Sequence, residues 1–389
     1  LVFLEGISTI VLQPERISAY QYIIFILKNP SMPEFSKLSS LENGTRGSVK
    51  MSTSPRCVVG LSPFEKEIFF PEGIAEPLHE LFEDVRIENV ADYSTAEWHQ
   101  MIRECDPDVV VAAWSSHSLP PEFGVDRATP PYVCNLTGSV KHLVNIDHFR
   151  RGVIVSDWGP SAADSVAEAG LMFTLMALRR ASHWHHVLHE EKGWTEINGN
   201  KGQLSLYDRR IGIHGFGRVA QAYARLVRPF SPQLFTYCPD APQGLLDQYG
   251  VTPTNSLEEL CDSVEIFVEM AALTPETRGS VTEELLRRLP PHGAFINVGR
   301  GPVVDEEALI KLAAEGRLRV ALDVFEKEPL AVDSPLRENR DITILPHQAG
   351  PTEDHMRRLG AFALENIGRF LRGEPIKSQI TLEIFERMS

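Results

Sequence analysis

From residue 56 onward the chain alternates short apolar runs with stretches whose apolar residues recur every three or four positions. Runs too short for a helix fall at Cys57–Leu61, Val85–Val90, Val109–Trp114, Tyr132–Thr137 and Val153–Asp157, with helical spacing between them, as in Ala75–Phe82 and Ala96–Cys105. Near-continuous apolar strands separated by amphipathic helices predict a parallel sheet covered on both faces. A second series starts near Arg209, with strands predicted at Arg210–His214, Gln233–Tyr237, Glu265–Met270, Ala294–Val298, Arg319–Asp323 and Ile342–Leu345. Helix ends are marked by Ser256 with Glu259 three residues on, and by Asp305 ahead of a run that Gly316 closes. Between the two series, Ser161-Ala162-Ala163-Asp164 predicts a capping box opening a long helix, Val166 to Arg180, apolar nearly all round and therefore buried, between the domains. A last helix, about Glu353 to Leu371 and stopped by Gly373, has no strand left to feed and is expected to cross back to the first domain.

Residues 1–55 carry no sustained period and include a Ser/Gly/Asn-rich passage from Ser39 to Ser48. They read as a disordered N-terminal extension, with Met51 as the natural start. The 389 residues are too many for one ordinary core, so two domains are expected. A formal charge of −15 argues against nucleic acid or an anionic membrane as partner. No apolar run approaches the roughly 18 residues that cross a bilayer. Five scattered cysteines suit buried thiols in a reducing, cytoplasmic compartment rather than a disulfide framework. His185 and His189 have the i, i+4 spacing of metal ligands, but no Cys or carboxylate pattern accompanies them, and an ordinary polar helix surface is expected rather than a metal site.

The first strand of the second series runs into Gly215-Phe216-Gly217-Arg218-Val219-Ala220, after which the spacing turns helical. The first glycine permits a tight turn, the second lets the backbone approach a pyrophosphate, and the small third residue lets helix and strand pack closely. The helix start then presents free amides and the positive end of its dipole to phosphates. Three later strand ends carry candidate chemistry: Asn297-Val298-Gly299-Arg300-Gly301, Asp323 to Pro329, and Pro346-His347. In open α/β sheets ligands bind at the carboxyl ends of strands.

With these motifs, in this order, and with Leu273-Thr274-Pro275-Glu276-Thr277, the chain resembles the D-isomer-specific 2-hydroxyacid dehydrogenase family from Arg56 to about Lys377. The resemblance implies two doubly wound parallel-sheet α/β domains. One is a Rossmann NAD-binding domain at 159–346; the other is a discontinuous, flavodoxin-like substrate domain at 56–158 and 347–389. It implies hydride transfer between NAD(H) and a D-2-hydroxy acid or 2-keto acid. Arg300 would grip the substrate carboxylate, His347 would be the acid/base, and Glu328 its carboxylate partner. Asp323, Val298, Gly299 and Ala271 would border the cofactor beside Gly215, Phe216, Gly217, Arg218 and Val219. Gly138, Ser139 and Val140 would cradle the substrate with Ser115, and Trp114, Ser116 and Trp158 would face its side chain. A homodimer is the family expectation. A same-scaffold formate dehydrogenase fits less well, because it partners the histidine with Gln where this chain has Glu328. Some relatives act as co-repressors, which leaves an NAD(H)-sensing protein without turnover as the alternative.

Two departures bear on the cofactor. Cys238 stands where an acid usually binds the ribose hydroxyls, so either Asp240 takes that role or the preference for NAD is weak, and no Arg follows to meet a 2′-phosphate. NAD is therefore favoured, with NADP not excluded. Before Leu273 the chain has Glu269-Met270-Ala271-Ala272 where the family often carries His and Pro, and the helix start has Ala162 where Asn is common.

Overall fold

The computed structural model describes residues 54–194 and 202–388, so the extension expected over 1–55 lies outside the described residues except for Ser54 and Pro55. Two compact units emerge. One comprises the described residues up to Leu136, Arg151–Ser156 and Arg357–Lys377; the other comprises Thr137–Arg150, Asp157–Met356 and the described residues from Ser378.

The first unit is built on five parallel strands, β1 (Arg56–Gly60), β2 (Asp84–Glu88), β3 (Val109–Ala112), β4 (Tyr132–Asn135) and β5 (Ile154–Ser156), in the order β2-β1-β3-β4-β5. This is a doubly wound order whose direction reverses between β1 and β3. Most strands stop a residue or two before the apolar run does, because Leu61, Ala113 and Leu136 leave the ladder yet stay buried in the loops that follow. Helices Pro63–Phe69 and Thr95–Cys105 both start on capping boxes, Ser62 with Glu65 and Ser94 with Glu97. Helix Glu353–Leu371 has the predicted span, and its residues from Arg357 belong to this unit. The ring of Phe370 lies 5.2 Å from that of Tyr132 on β4. Gly360 sits so close to helix Pro63–Phe69 that a Cβ there would fall 2.0 Å from the Phe69 carbonyl oxygen.

The second unit holds seven parallel strands: β6 (Arg210–His214), β7 (Gln233–Tyr237), β8 (Val251–Pro253), β9 (Ile266–Glu269), β10 (Gly293–Asn297), β11 (Leu318–Leu322) and β12 (Thr343–Ile344). Their order is β12-β11-β10-β9-β6-β7-β8, with the reversal between β6 and β9. β8 was not expected: two of its three residues are exposed, and so short a ladder carries no apolar period. The long helix runs Pro160–Arg179 after Gly159, with no side-chain cap. The capping box expected at Ser161 is corrected accordingly: Pro160 occupies the first turn, where its fixed φ and missing N–H suit a helix start, and Ser161 falls inside the helix. Phe173, Ala177 and Leu178 of this helix share a core with Ala220, Tyr223 and Ala224. The His-rich helix is Ala181–His189; the rings of His185 and His189 are 4.4 Å apart, and His183 Nδ1 lies 2.7 Å from Asp341. Among the described residues no group of three or more His, Cys, Asp or Glu could hold a metal ion, and no helix is long and apolar enough to cross a membrane.

Candidate active site

The turn after β6 has φ +81° at Gly215, where a Cβ would lie 2.8 Å from the Cα of Ala271. Only glycine satisfies both the dihedral and the contact. Gly217 precedes helix Arg218–Val227, which has no side-chain cap, and a Cβ on Gly217 would meet nothing within 4 Å. Uncapped amides beside open space, at the reversal point of the sheet, fit a dinucleotide pyrophosphate. Ala220 is fully buried, as close helix–strand packing requires. Phe216 turns its ring into the core, 5.6 Å from Tyr249, so it offers the turn its backbone. Arg218 Nη1 lies 3.1 Å from both carboxylate oxygens of Asp157. Burial raises the pKa of that carboxyl, with Arg218 opposing. Beyond β7, Cys238 packs against the core, while Asp240 is exposed in the next turn.

Three strand ends converge on a second cluster. At the end of β10 the buried Asn297 accepts the Gly299 N–H at 3.0 Å and donates to the Arg300 carbonyl at 3.2 Å, so one amide side chain shapes the loop. Arg300 is half-buried; burial lowers its pKa, against the charge of Glu328. After β11 the buried Asp323 accepts the N–H groups of Gln348 and Ala349 at 2.7 and 2.9 Å, and its carbonyl accepts that of His347 at 2.8 Å. Burial raises the pKa of Asp323, with those amide bonds and His347 opposing. His347 adopts φ +56° and places Nδ1 2.7 Å from Glu328 Oε2, while Glu328 Oε1 accepts the Phe325 N–H at 3.0 Å. Glu306 accepts the Glu326 N–H at 2.8 Å, bracing the same loop from the helix that precedes β11, Glu306–Ala314. The result is an imidazole oriented by a carboxylate, in one cluster with a guanidinium: a set able to move a proton and grip a carboxylate.

The residues expected to meet the substrate are divided between the units. In the first, Ser115 is held by the buried Glu65, which accepts its N–H at 2.8 Å and its hydroxyl; Ser116 Oγ donates to the Gly60 carbonyl at 2.6 Å. In the second, Gly138 lies flat against Trp158, where a Cβ would come within 2.9 Å of the indole, with Ser139 half-buried and Val140 buried. Sequence reasoning missed the braces Asn297 and Glu306. It also missed a buried pair beside the glycine turn, His214 and Glu269, whose Nδ1 and Oε2 are 2.7 Å apart. Asn297, His214 and Glu269 share one signal, a polar side chain at a strand end that closes an apolar run; Glu306, the first residue of helix Glu306–Ala314, carries none.

Residues 171–349 match the model of the D-isomer specific 2-hydroxyacid dehydrogenase, NAD binding domain. A D-3-phosphoglycerate dehydrogenase of Methanocaldococcus jannaschii is 28% identical over 316 residues, covering 79% of this chain but 59% of that protein, so the chain spans less than two thirds of that relative. A glyoxylate reductase of Korarchaeum cryptofilum is 30% identical over 240 residues, 60% of this chain and 71% of the other. Among solved structures, an NADPH-dependent glyoxylate/hydroxypyruvate reductase of Sinorhizobium meliloti superposes with a TM-score of 0.66 at 22% identity, over 86% of this chain and all of that one.

Proposed function

Because the chain belongs to the D-isomer-specific 2-hydroxyacid dehydrogenases, we propose that it interconverts a D-2-hydroxy acid and its 2-keto acid, with His347 as acid/base, Glu328 as its partner and Arg300 as the carboxylate grip. The carrying observation is the 2.7 Å contact between His347 and Glu328, in one cluster with Arg300. In the oxidising direction neutral His347 takes the hydroxyl proton; in the reducing direction the imidazolium returns it to the carbonyl oxygen. Glu328 on Nδ1 orients the ring so that Nε2 does this work, and it stabilises the imidazolium. Arg300 grips the substrate carboxylate through two parallel N–H bonds, a geometry lysine cannot match. The nicotinamide, when bound, accepts or supplies the hydride. The Gly215–Ala220 turn holds the pyrophosphate, with Val298, Gly299 and Ala271 alongside, and Asp323 lies by the carboxamide. Asp240 takes the ribose hydroxyls in place of Cys238, which favours NAD over NADP.

Ser115, from the unit built on the five-stranded sheet, and Gly138, Ser139 and Val140, from the other unit, cradle the substrate, and the working form is a homodimer. The reading predicts loss of NADH absorbance with at least one member of a panel of 2-keto acids that includes glyoxylate, hydroxypyruvate and pyruvate. Silence across a broad panel, with NADH bound, would overturn turnover in favour of cofactor sensing, and clearly faster reaction with NADPH at equal concentration would overturn the NAD preference.

A further inference from the structure

We propose that the buried pair His214–Glu269 is a latch that positions the dinucleotide-binding turn, with Glu269 holding the Ala271 amide against which Gly215 turns. The inference rests on reading the Gly215–Ala220 turn as the cofactor cradle. His214 ends β6, Glu269 ends β9, and the two stand opposite each other across the reversal point of the sheet. Glu269 is fully buried and His214 is 4% exposed. One carboxylate oxygen meets His214 Nδ1 at 2.7 Å, and the other accepts the Ala271 N–H at 2.8 Å. The Met270 N–H donates to the His214 carbonyl at 3.1 Å, so the loop after β9 is tied to β6 by backbone as well. Ala271 is the residue whose Cα a side chain on Gly215 would strike, and its position sets where the turn can lie.

The surroundings do not call for charge. Around the imidazole stand the rings of Tyr237 at 5.9 Å and Phe267 at 6.3 Å, and on the other side of Glu269 the register places the uncharged, buried Asn297 of β10. Apolar side chains of similar volume can replace a buried ion pair with no loss of stability. What they cannot supply is an acceptor for the Ala271 N–H, and a buried amide left unpaired drives its loop to shift. Glu269 is thus a positioning residue, with His214 holding its carboxylate in the one orientation that reaches the amide.

The test measures the Kd for NADH by calorimetry, and Tm without cofactor, on the full chain and on Glu269→Gln, Glu269→Met and the double variant His214→Leu/Glu269→Leu. Gln keeps an acceptor for Ala271, so its Kd should stay within about threefold of the parent, about half a decade in affinity. The double variant should regain a near-parental Tm while its Kd stays raised about tenfold or more, the scale of one buried hydrogen bond. If the double variant does not fold, Glu269→Met carries the same expectation of a raised Kd. Parental affinity in either apolar variant, or a loss in Glu269→Gln as large as in Glu269→Met, overturns the latch, and so does a Kd that merely tracks Tm across the set. A parent chain that binds neither NADH nor NADPH overturns the cradle reading itself, a result distinct from all of these.

Discussion

His347 carries a φ of +56°, a region that non-glycine residues visit rarely, though histidine does so more readily than β-branched residues. Such a conformation persists only where surrounding bonds over-determine it. Here the residue's own N–H reaches the Asp323 carbonyl, and the next two amides end on the Asp323 carboxylate. The ring is therefore aimed by the backbone before any substrate arrives, and Glu328 needs only to fix its rotation. Substituting His347→Ala removes the proton carrier while leaving this scaffold in place. Turnover should fall by about two to four orders of magnitude, the usual contribution of a positioned acid/base. NADH affinity should change by less than about threefold, because pyrophosphate and ribose contacts set it. Steady-state kinetics beside calorimetric titration decide the matter: comparable losses in kcat and in NADH affinity contradict the assigned role.

At the scale of elements, helix Glu353–Leu371 shows sterics overruling propensity. Alanine exceeds glycine by roughly 1 kcal/mol inside a helix, so Gly360→Ala would be stabilising on that count. Its Cβ would instead fall 2.0 Å from the backbone oxygen of Phe69, which cannot swing aside as a side chain could. Overpacking of this kind costs about 1–3 kcal/mol, and the net effect should be destabilising. A urea midpoint equal to or above that of the parent chain would show that the two helices separate freely.

This helix, β6 and β7 were legible in the sequence because their apolar periods run unbroken to a glycine or a polar turn. β8 was not, since a three-residue edge strand with two exposed positions leaves no period. The start of helix Pro160–Arg179 was misjudged because Ser161 imitates a cap, whereas the proline before it already sits in the first turn. For the candidate site, the segments after β10, β11 and β12 that carry Arg300, Glu328 and His347 were legible as polar stretches at strand ends, while the roles proposed for the three come from the family resemblance. The role of Glu269 was not legible, because inside the predicted strand Glu265–Met270 nothing marks its partner, and only the folded register places it opposite His214.

Across the whole molecule the chain passes between its two units repeatedly, and neither unit is a continuous stretch. Stopping the chain after Gly350 would remove Arg357–Lys377 and with it Phe370, which lies against Tyr132 on β4. Such a fragment should bind a hydrophobic dye and aggregate on sizing, where the full chain does neither; a monodisperse, dye-silent fragment would mean that the five-stranded sheet stands without its last helix. The same interleaving sets a timetable during synthesis. The ribosome delivers every strand of the first sheet by Ser156, yet the segment that completes that unit begins at Arg357, about 200 residues later. At about 5–20 residues per second, the sheet made first waits about 10–40 s for its final helix. Through that interval the face of β4 that Phe370 will occupy has no cover, so the unit whose strands are made first stays incomplete until synthesis has nearly reached the last residues.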